Sequence, residues 1–242
     1  MAVRTLAASI GILACAGTAV AGTPLIDAVK RQDSVAVNAL LDRRVDVNGT
    51  EGDGATALHW AAQLDDLRML DLLLNAGAAP DAANRFGVRP LELAAGNGSR
   101  AAIERLIKAG ANVNATSRAA QTPLMSAAAN GQLDAVTALL AAGAAVDAAE
   151  DWRGQTALML AAGDGHRDVV DALIAAGANV TARTKAGFTP LLFAVRNGHT
   201  DVVKRLLERG ANVNDVGPDG TSALNMAVVN AFYEVRSEEH TS

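Results

Sequence analysis

The sequence has little cysteine and few aromatic residues. Its 242 residues include one cysteine, Cys15, and aromatic side chains make up 3% of the chain. A lone cysteine excludes an intramolecular disulfide framework. The scarcity of aromatic residues argues against an aromatic-lined small-molecule pocket, and we expect no bound cofactor. Hydrophobic residues make up 50% of the chain, and its richness in alanine suits short, closely packed helices.

Catalytic motifs are also missing. The chain contains no P-loop, no Gly-x-Gly-x-x-Gly after a strand, no His-Glu-x-x-His and no Gly-x-Ser-x-Gly. Catalytic carboxylate pairs need a desolvating cleft that separates their pKa values. We therefore interpret the two acidic pairs on turns, Asp65-Asp66 and Glu150-Asp151, as solvated surface. No catalytic residue is predicted, and we expect the protein not to be an enzyme.

The net charge is mildly acidic. It is −5 over the whole chain, and nucleic-acid binding normally needs a basic footprint. We therefore expect no nucleic-acid partner, and no segment is typical of a transmembrane span. His166 and His199 stand 33 residues apart without a tight metal-ligand spacing. They are predicted to be structural, so no metal site is expected.

A similar segment recurs along the chain with a period of 33 residues. Successive openings are separated by 33, 33, 33, 34, 33 and 33 residues: Thr23-Pro24-Leu25, Thr56-Ala57-Leu58, Arg89-Pro90-Leu91, Thr122-Pro123-Leu124, Thr156-Ala157-Leu158, Thr189-Pro190-Leu191 and Ser222-Ala223-Leu224. A period of this size indicates stacked supersecondary units that bury their apolar faces against their neighbours. Such stacks expose an extended surface, which favours binding over catalysis.

The unit over residues 187–214 shows the pattern in full. Thr189 can cap a short helix that begins at Pro190, where the missing backbone N–H costs nothing. Residues 197–198 interrupt this helix, and a second apolar-periodic helix follows. Gly210 ends the second helix, as expected where the chain enters the left-handed region. A turn around residues 219–220 then leads into the next unit.

These motifs resemble the ankyrin repeat, whose pattern reads G-x-T-P-L-x-x-A-A, then N-G-H, then V-V-x-x-L-L-x-x-G-A-x-V-N. The resemblance implies an all-α fold, a solenoid of stacked helix-turn-helix units joined by β-turn fingers. It covers residues 22–235, with units starting near 23, 54, 87, 120, 154, 187 and 220, the last of them truncated. Three departures stand out: Arg44 replaces the glycine after the second helix, His59 alone keeps the histidine of the T-P-L-H motif, and Arg89 replaces the capping threonine.

The first 21 residues are predicted to be a secretory signal peptide. One positive charge is followed by a short apolar run and by Ala19-Val20-Ala21, an A-x-A cleavage signature. Cleavage after Ala21 would leave Gly22 as the first residue of a periplasmic or secreted protein. The segment before Cys15 also resembles a bacterial lipobox, so lipidation at Cys15 and membrane attachment form the alternative.

The last seven residues are predicted to be non-native. The repeat pattern stops near residue 235, and residues 236–242 could be encoded by a sequencing adapter read in frame. A short native polar tail is the alternative. If the tail is non-native, the natural protein continues beyond residue 235.

The resemblance places the partner-binding surface on the concave face, formed by the fingers and the first helices. Two groups of residues are predicted to contribute: Arg85, Phe86, Arg118, Trp152, Arg153, Lys185 and Phe188 from the fingers, and Gln63, Leu64, Asn97, Asn130, Asp164, Arg196 and Asn197 from the first helices. The basic finger residues favour a protein partner with an acidic patch. The sequence thus predicts a non-enzymatic interaction scaffold. Two alternatives stay open: a regulatory segment of a longer protein and an exported effector.

Overall fold

The computed structural model describes residues 23–228. Each of six units contributes a first and a second helix, and a seventh unit contributes a helix over residues 223–228. The paired helices are α1 (Pro24–Lys30), α2 (Ser34–Asp42), α3 (Ala57–Gln63), α4 (Leu67–Asn75), α5 (Pro90–Asn97), α6 (Arg100–Lys108), α7 (Pro123–Ala129), α8 (Leu133–Ala141), α9 (Ala157–Gly163), α10 (Arg167–Ala175), α11 (Pro190–Arg196) and α12 (Thr200–Glu208). Strand pairing among the described residues is limited to isolated bridges at three turns. The predicted helical solenoid is confirmed.

The repeated threonines begin the first helices. Four of them accept a hydrogen bond from the backbone N–H three residues ahead: Thr23, Thr122, Thr156 and Thr189. In α3, the capping box uses His59 instead. Its Nδ1 accepts from the Thr56 amide at 3.1 Å and from the Thr56 hydroxyl at 2.9 Å, and its Nε2 donates to the Val88 carbonyl of the next unit at 3.1 Å. Burial lowers the pKa of His59, which keeps this neutral tautomer.

Arg89 makes no capping hydrogen bond at the start of α5, as the sequence predicts. Its guanidinium instead donates to the carbonyl oxygens of Gly87, at 3.1 Å, and Thr116, at 2.7 Å. The side chain therefore replaces a local cap with a contact to the finger that follows α6.

Small residues let the first helices approach each other closely. The paired alanines of α3, α5, α7 and α9 are fully buried: Ala61, Ala62, Ala94, Ala95, Ala127, Ala128, Ala161 and Ala162. First helices pack on first helices of adjacent units, and most second helices do the same. One continuous apolar core results, shared between units, as expected for a solenoid.

Candidate partner-binding surface

The fingers are joined to one another by a ladder of backbone hydrogen bonds. In each step, an amide at one finger tip donates to a carbonyl of the preceding finger. The four bonds are Arg85 N to Asp53 O at 2.8 Å, Arg118 N to Phe86 O at 3.0 Å, Asp151 N to Ala119 O at 3.1 Å, and Lys185 N to Arg153 O at 2.9 Å. The ladder fixes the register of the fingers, and with the first helices they form what we call the finger face.

This register identifies Trp152 as the extra residue of the 34-residue spacing. In the fingers at Arg85 and Arg118, the donating residue is followed directly by the accepting residue. In the longer finger, Asp151 donates and Arg153 accepts, so Trp152 stands between them without an equivalent. Trp152 therefore lies on the finger as predicted from the sequence, but it has no equivalent in the fingers of the usual length. Asp151 takes the register position that Arg85, Arg118 and Lys185 hold in their own fingers.

Glu150 stabilises this longer finger. Its carboxylate accepts hydrogen bonds from the amides of Trp152 and Arg153, each at 2.6 Å, and of Gln155 at 3.1 Å. Partial burial raises the pKa of Glu150, but the three amides and nearby Lys185 oppose it, and the pKa is lowered overall. Glu150 thus remains a partly exposed turn carboxylate, and it also organises the turn through these hydrogen bonds.

The two tryptophans have opposite environments. Trp60 is half-buried, donates from Nε1 to Glu51 at 2.6 Å, and lies 4.2 Å from the Lys30 ammonium. Trp152 is 77% exposed, and its ring is contacted by the Arg153 guanidinium, 4.8 Å from the ring centroid. Trp60 is therefore held within the fold, whereas Trp152 presents a large apolar surface to solvent.

A cleft of about 430 Å³ opens on one side of Trp152. We call it the aromatic cleft, and its lining is Trp152, Arg153, Gln155, Thr184, Lys185, Ala186, Phe188, Phe193 and Arg196. The rings of Phe188 and Phe193 lie 5.8 Å apart, and the Arg196 guanidinium lies 5.6 and 5.5 Å from their centroids. Three of the chain's few aromatic side chains are therefore clustered at this cleft.

A second cleft of about 300 Å³ lies on the opposite side of the same finger. Trp152, Arg153 and Gln155 line both clefts, so they form a wall between them. Met125 of α7 and Leu160 of α9 contribute apolar side chains to the second cleft. Two clefts of the finger face therefore flank Trp152.

The predicted first-helix residues divide into two groups. Three asparagines donate from Nδ2 to carbonyls of the preceding unit: Asn97 to Ala62 and Gln63, Asn130 to Gly96, and Asn197 to Gly163. These hydrogen bonds connect adjacent units, so the side-chain amides of the three asparagines stabilise the fold although the residues lie on the predicted surface. Gln63, Leu64 and Asp164 are exposed beside them. The structure therefore gives these asparagines a role that the sequence prediction did not include.

The remaining finger residues lie at different points of the same face. Phe86 is 60% exposed, with the Arg85 guanidinium 5.9 Å from its ring centroid. Arg118 is also exposed, whereas Phe188 is half-buried against the core. Phe86 lines neither cleft beside Trp152, so the predicted surface contains two separate exposed aromatic sites.

Glu92 is a residue that the sequence prediction missed. It occupies the position of His59 one unit later, at the first turn of α5, and is half-buried. Burial raises its pKa to about 7, against opposing effects of Arg89 and Ser126. The substitution of glutamate for the motif histidine was visible in the sequence, but its degree of burial was not.

The described residues contain neither a candidate metal-binding group nor a helix that could span a membrane. No group of three potential ligand side chains in residues 23–228 could hold a metal ion. Over the same range, no helix is both long and apolar enough to cross a bilayer. His166 and His199 each bond a carbonyl of the preceding unit, Ala129 at 3.0 Å and Gly163 at 2.9 Å. The structural role predicted for both histidines is confirmed.

Comparisons with known proteins agree with this architecture. A 62-residue segment is 42% identical to the ankyrin repeat and LEM domain-containing protein 1 homolog of Caenorhabditis elegans, covering 26% of this chain and 9% of that relative. The crystal structure of the human ASB11 ankyrin repeat domain matches with a TM-score of 0.78 and 27% identity, over 85% of this chain and 91% of that one. The ankyrin repeat domain of Bcl-3, a unique member of the IkappaB protein family, matches with a TM-score of 0.74 and 27% identity, over 85% and 93%.

Family profiles cover most of the sequence. The profile described as ankyrin repeats (3 copies) matches residues 6–84, 25–117 and 91–184, and the single ankyrin repeat profile matches residues 186–218. Over residues 23–218, these matches coincide with the stacked units, their inter-unit ladder and their shared core. The chain belongs to the ankyrin repeat family.

Proposed function

We propose that this protein is a non-enzymatic scaffold that binds a protein partner through its finger face. Ankyrin repeat domains are typically protein-interaction modules. The observation that carries the proposal is the inserted Trp152, exposed at the tip of a finger whose register is fixed by backbone hydrogen bonds. A preorganised surface of this kind binds with little loss of conformational entropy. Tryptophan and arginine are also the residues most enriched at binding hot spots.

Charge supports a partner with an acidic patch. The chain has a net charge of −5, yet its finger tips carry cations that we call the basic ridge: Arg85, Arg118, Arg153 and Lys185. Changing all four to glutamate is expected to slow association and reduce its salt dependence. Arg167→Glu on exposed α10 is the matched control, since it lies on a second helix. We propose no nucleic-acid partner and no cofactor.

Trp152→Ala tests the proposed face most directly. The ring is mostly exposed, so we expect the thermal melting temperature to change little. We expect affinity for the partner to fall about 30-fold, equivalent to about 2 kcal/mol, because a central aromatic anchor is lost. The partner would first be identified with a photo-crosslinking residue at position 152, with exposed position 137 on α8 as control. Crosslinking at 137 alone, or an unchanged affinity of Trp152→Ala with a lower melting temperature, would move the binding face elsewhere.

We also propose that the protein is exported. The basis is the sequence of residues 1–21, which lie outside the described residues. Intact mass spectrometry of the exported protein is expected to show Gly22 at its N-terminus. A diacylated Cys15 at that position would instead establish a bacterial lipoprotein, the one form for which we propose membrane association.

A regulatory segment of a longer protein is the second candidate. It is favoured by the similarity to the nematode relative, because the matched segment spans only 9% of that relative's length. The full-length gene sequence decides between this candidate and a self-contained scaffold. An exported effector is a third candidate, and the identity of the crosslinked partner separates it from the other two.

A further inference from the structure

Aromatic side chains are concentrated at one point of the finger face. The chain contains two tryptophans, one tyrosine and four phenylalanines, seven aromatic residues in all, and three of them line the aromatic cleft. Phe193 comes from α11, Phe188 lies two residues before that helix begins, and Trp152 comes from the preceding finger. Two units therefore cooperate to build an apolar site that neither could form alone.

The charge of this cleft is opposite to that of the whole protein. Its lining includes three cationic side chains, those of Arg153, Lys185 and Arg196. No carboxylate side chain lines the cleft within the part of the chain that the structure describes. The Lys185 ammonium donates to the Asp151 carbonyl, and Arg153 lies against the Trp152 ring. Both cations are thus held at the rim, next to the apolar surface.

We propose that the aromatic cleft binds an extended segment of a partner protein in which an aromatic residue is flanked by aspartate or glutamate. This inference rests on the proposed function and specifies the partner's chemistry. An aromatic side chain would pack between Trp152 and the two phenylalanine rings, in the offset or tilted geometry that such rings prefer. The flanking carboxylates would meet Arg153 and Lys185, where charged hydrogen bonds add specificity.

The test uses the full chain and three fluorescein-labelled peptides. One has a central Phe flanked by Glu residues, a second has Ala in place of Phe, and a third has Lys in place of Glu. Fluorescence anisotropy is expected to show binding of the first peptide about tenfold tighter than that of either matched peptide. Trp152→Ala and Arg153→Glu are each expected to weaken the first peptide about tenfold. Val35→Ala, which alters an exposed apolar residue of α2 outside the finger face, is expected to leave its affinity unchanged.

The outcomes separate this inference from the proposed function. No measurable binding of the acidic Phe peptide, or equal losses in Trp152→Ala and Val35→Ala, would overturn the inference. A partner that crosslinks at position 86 but not at position 152 would overturn it too, while the finger face would stand as the binding surface. If Trp152→Ala failed to fold by circular dichroism, deletion of residue 152, which restores the usual finger length, provides the second variant.

Discussion

Arg44 adopts a backbone conformation that favours glycine. Its φ is +55°, in the left-handed region, at the end of the first unit's second helix. The equivalent residue in the next five units is glycine at positive φ: Gly77, Gly110, Gly143, Gly177 and Gly210. A non-glycine residue in this region costs about 1–2 kcal/mol. The turn geometry of the repeat is therefore kept at Arg44 despite an unsuitable side chain.

Arg44→Gly is expected to stabilise the protein by about 0.5–1 kcal/mol. The substitution removes the free-energy cost of holding a non-glycine residue in the left-handed region. It also makes the unfolded chain more flexible, and this offsets about 0.4–1 kcal/mol of the gain in stability. Urea unfolding followed by circular dichroism measures the effect. Gly77→Ala is the matched control and should destabilise by about 1 kcal/mol, since its Cβ would meet no neighbouring atom and only the backbone changes. A lower urea midpoint for Arg44→Gly would show that the arginine side chain stabilises the turn.

Glu92 links stability to pH. Its pKa rises from the ordinary 4.5 to about 7 because burial disfavours the ionised form. The folded state therefore holds the proton more tightly than the unfolded state does. Stability is expected to fall as pH rises from about 4.5 to about 7, and to level off above that.

Glu92→Gln removes this ionisation. We expect unfolding free energy at pH 8 to rise by about 1 kcal/mol, after allowing for partial solvent screening. The loss of stability between pH 4.5 and 7 should shrink by the same amount in urea titrations. Glu104→Gln is the control, because its side chain is 58% exposed on α6 and only pairs with Arg100. An unchanged pH profile in Glu92→Gln would show that Glu92 remains ionised in the folded protein.

At the scale of the element, two fingers of different length are capped by side chains of different length. In the finger at Arg85, the Asn84 side chain accepts from the amides of Phe86, at 2.9 Å, and Val88, at 3.0 Å. In the longer finger, Glu150 holds the equivalent position and spans one more residue. The longer side chain reaches amides that an asparagine would leave unsatisfied.

The match between side-chain length and finger length predicts that changes at Glu150 and Trp152 have strongly coupled effects on the free energy of unfolding. Glu150→Asn is expected to cost about 1–2 kcal/mol in the natural chain, because backbone amides lose their acceptor. In a chain lacking residue 152, the same substitution should cost less than about 0.5 kcal/mol, since the finger then resembles the one capped by Asn84. A double-mutant cycle by urea unfolding measures the coupling. Equal costs in both backgrounds would mean that the two residues act independently.

The repeat pattern predicted the elements better than it predicted the surface. Helix starts, the glycines after second helices and the single Thr56–His59 contact follow from local rules, and the structure confirms them. The 34-residue spacing indicates one inserted residue, but by residue type either Trp152 or Arg153 could occupy the usual finger-tip position. Backbone hydrogen bonds between fingers identify the inserted residue, and such non-local bonds leave no trace in residue types.

Contacts between residues distant in sequence also limited the prediction of the candidate site. Phe193 belongs to a regular first helix, and nothing in the repeat pattern indicates that its ring contacts Phe188 beside Trp152. Asn97 was predicted to contribute to the partner-binding surface because it lies on a first helix, which the family resemblance places on the concave face. The structure shows its amide bonded to the preceding unit, a role that requires the same residue type.

At the scale of the whole molecule, neighbouring units are joined at several levels. The first helices share the apolar core, the fingers share the backbone ladder, and outer loops add bonds such as Asn48 Nδ2 to Gly77 O at 3.3 Å. Asn114 repeats this bond two units later, to Gly143 O at 3.2 Å. In a stack of this kind, stability is approximately a sum of unit and interface contributions. A central unit has two interfaces, so it should open less readily than a unit covered on one side.

The seventh unit is covered on one side within the described residues. Leu224 is 69% exposed and Val228 is also exposed. Leucines at the equivalent position of the other six units are buried: Leu25, Leu58, Leu91, Leu124, Leu158 and Leu191. Leucine is retained at this position, but the described chain places no further helix against it.

Hydrogen exchange should therefore become faster toward the seventh unit. We expect amides of residues 217–228 to exchange at least about tenfold faster than those of residues 120–180, because local opening breaks one interface instead of two. Mass spectrometry of peptic fragments after deuterium labelling measures both segments in one sample, so solvent conditions are matched. Residues 24–42 provide a comparison, since their first-helix leucine is buried although the unit has one described neighbour. Equally slow exchange over 217–228 and 120–180 would show that Leu224 and Val228 are covered in solution, by later residues of the chain or by a bound molecule.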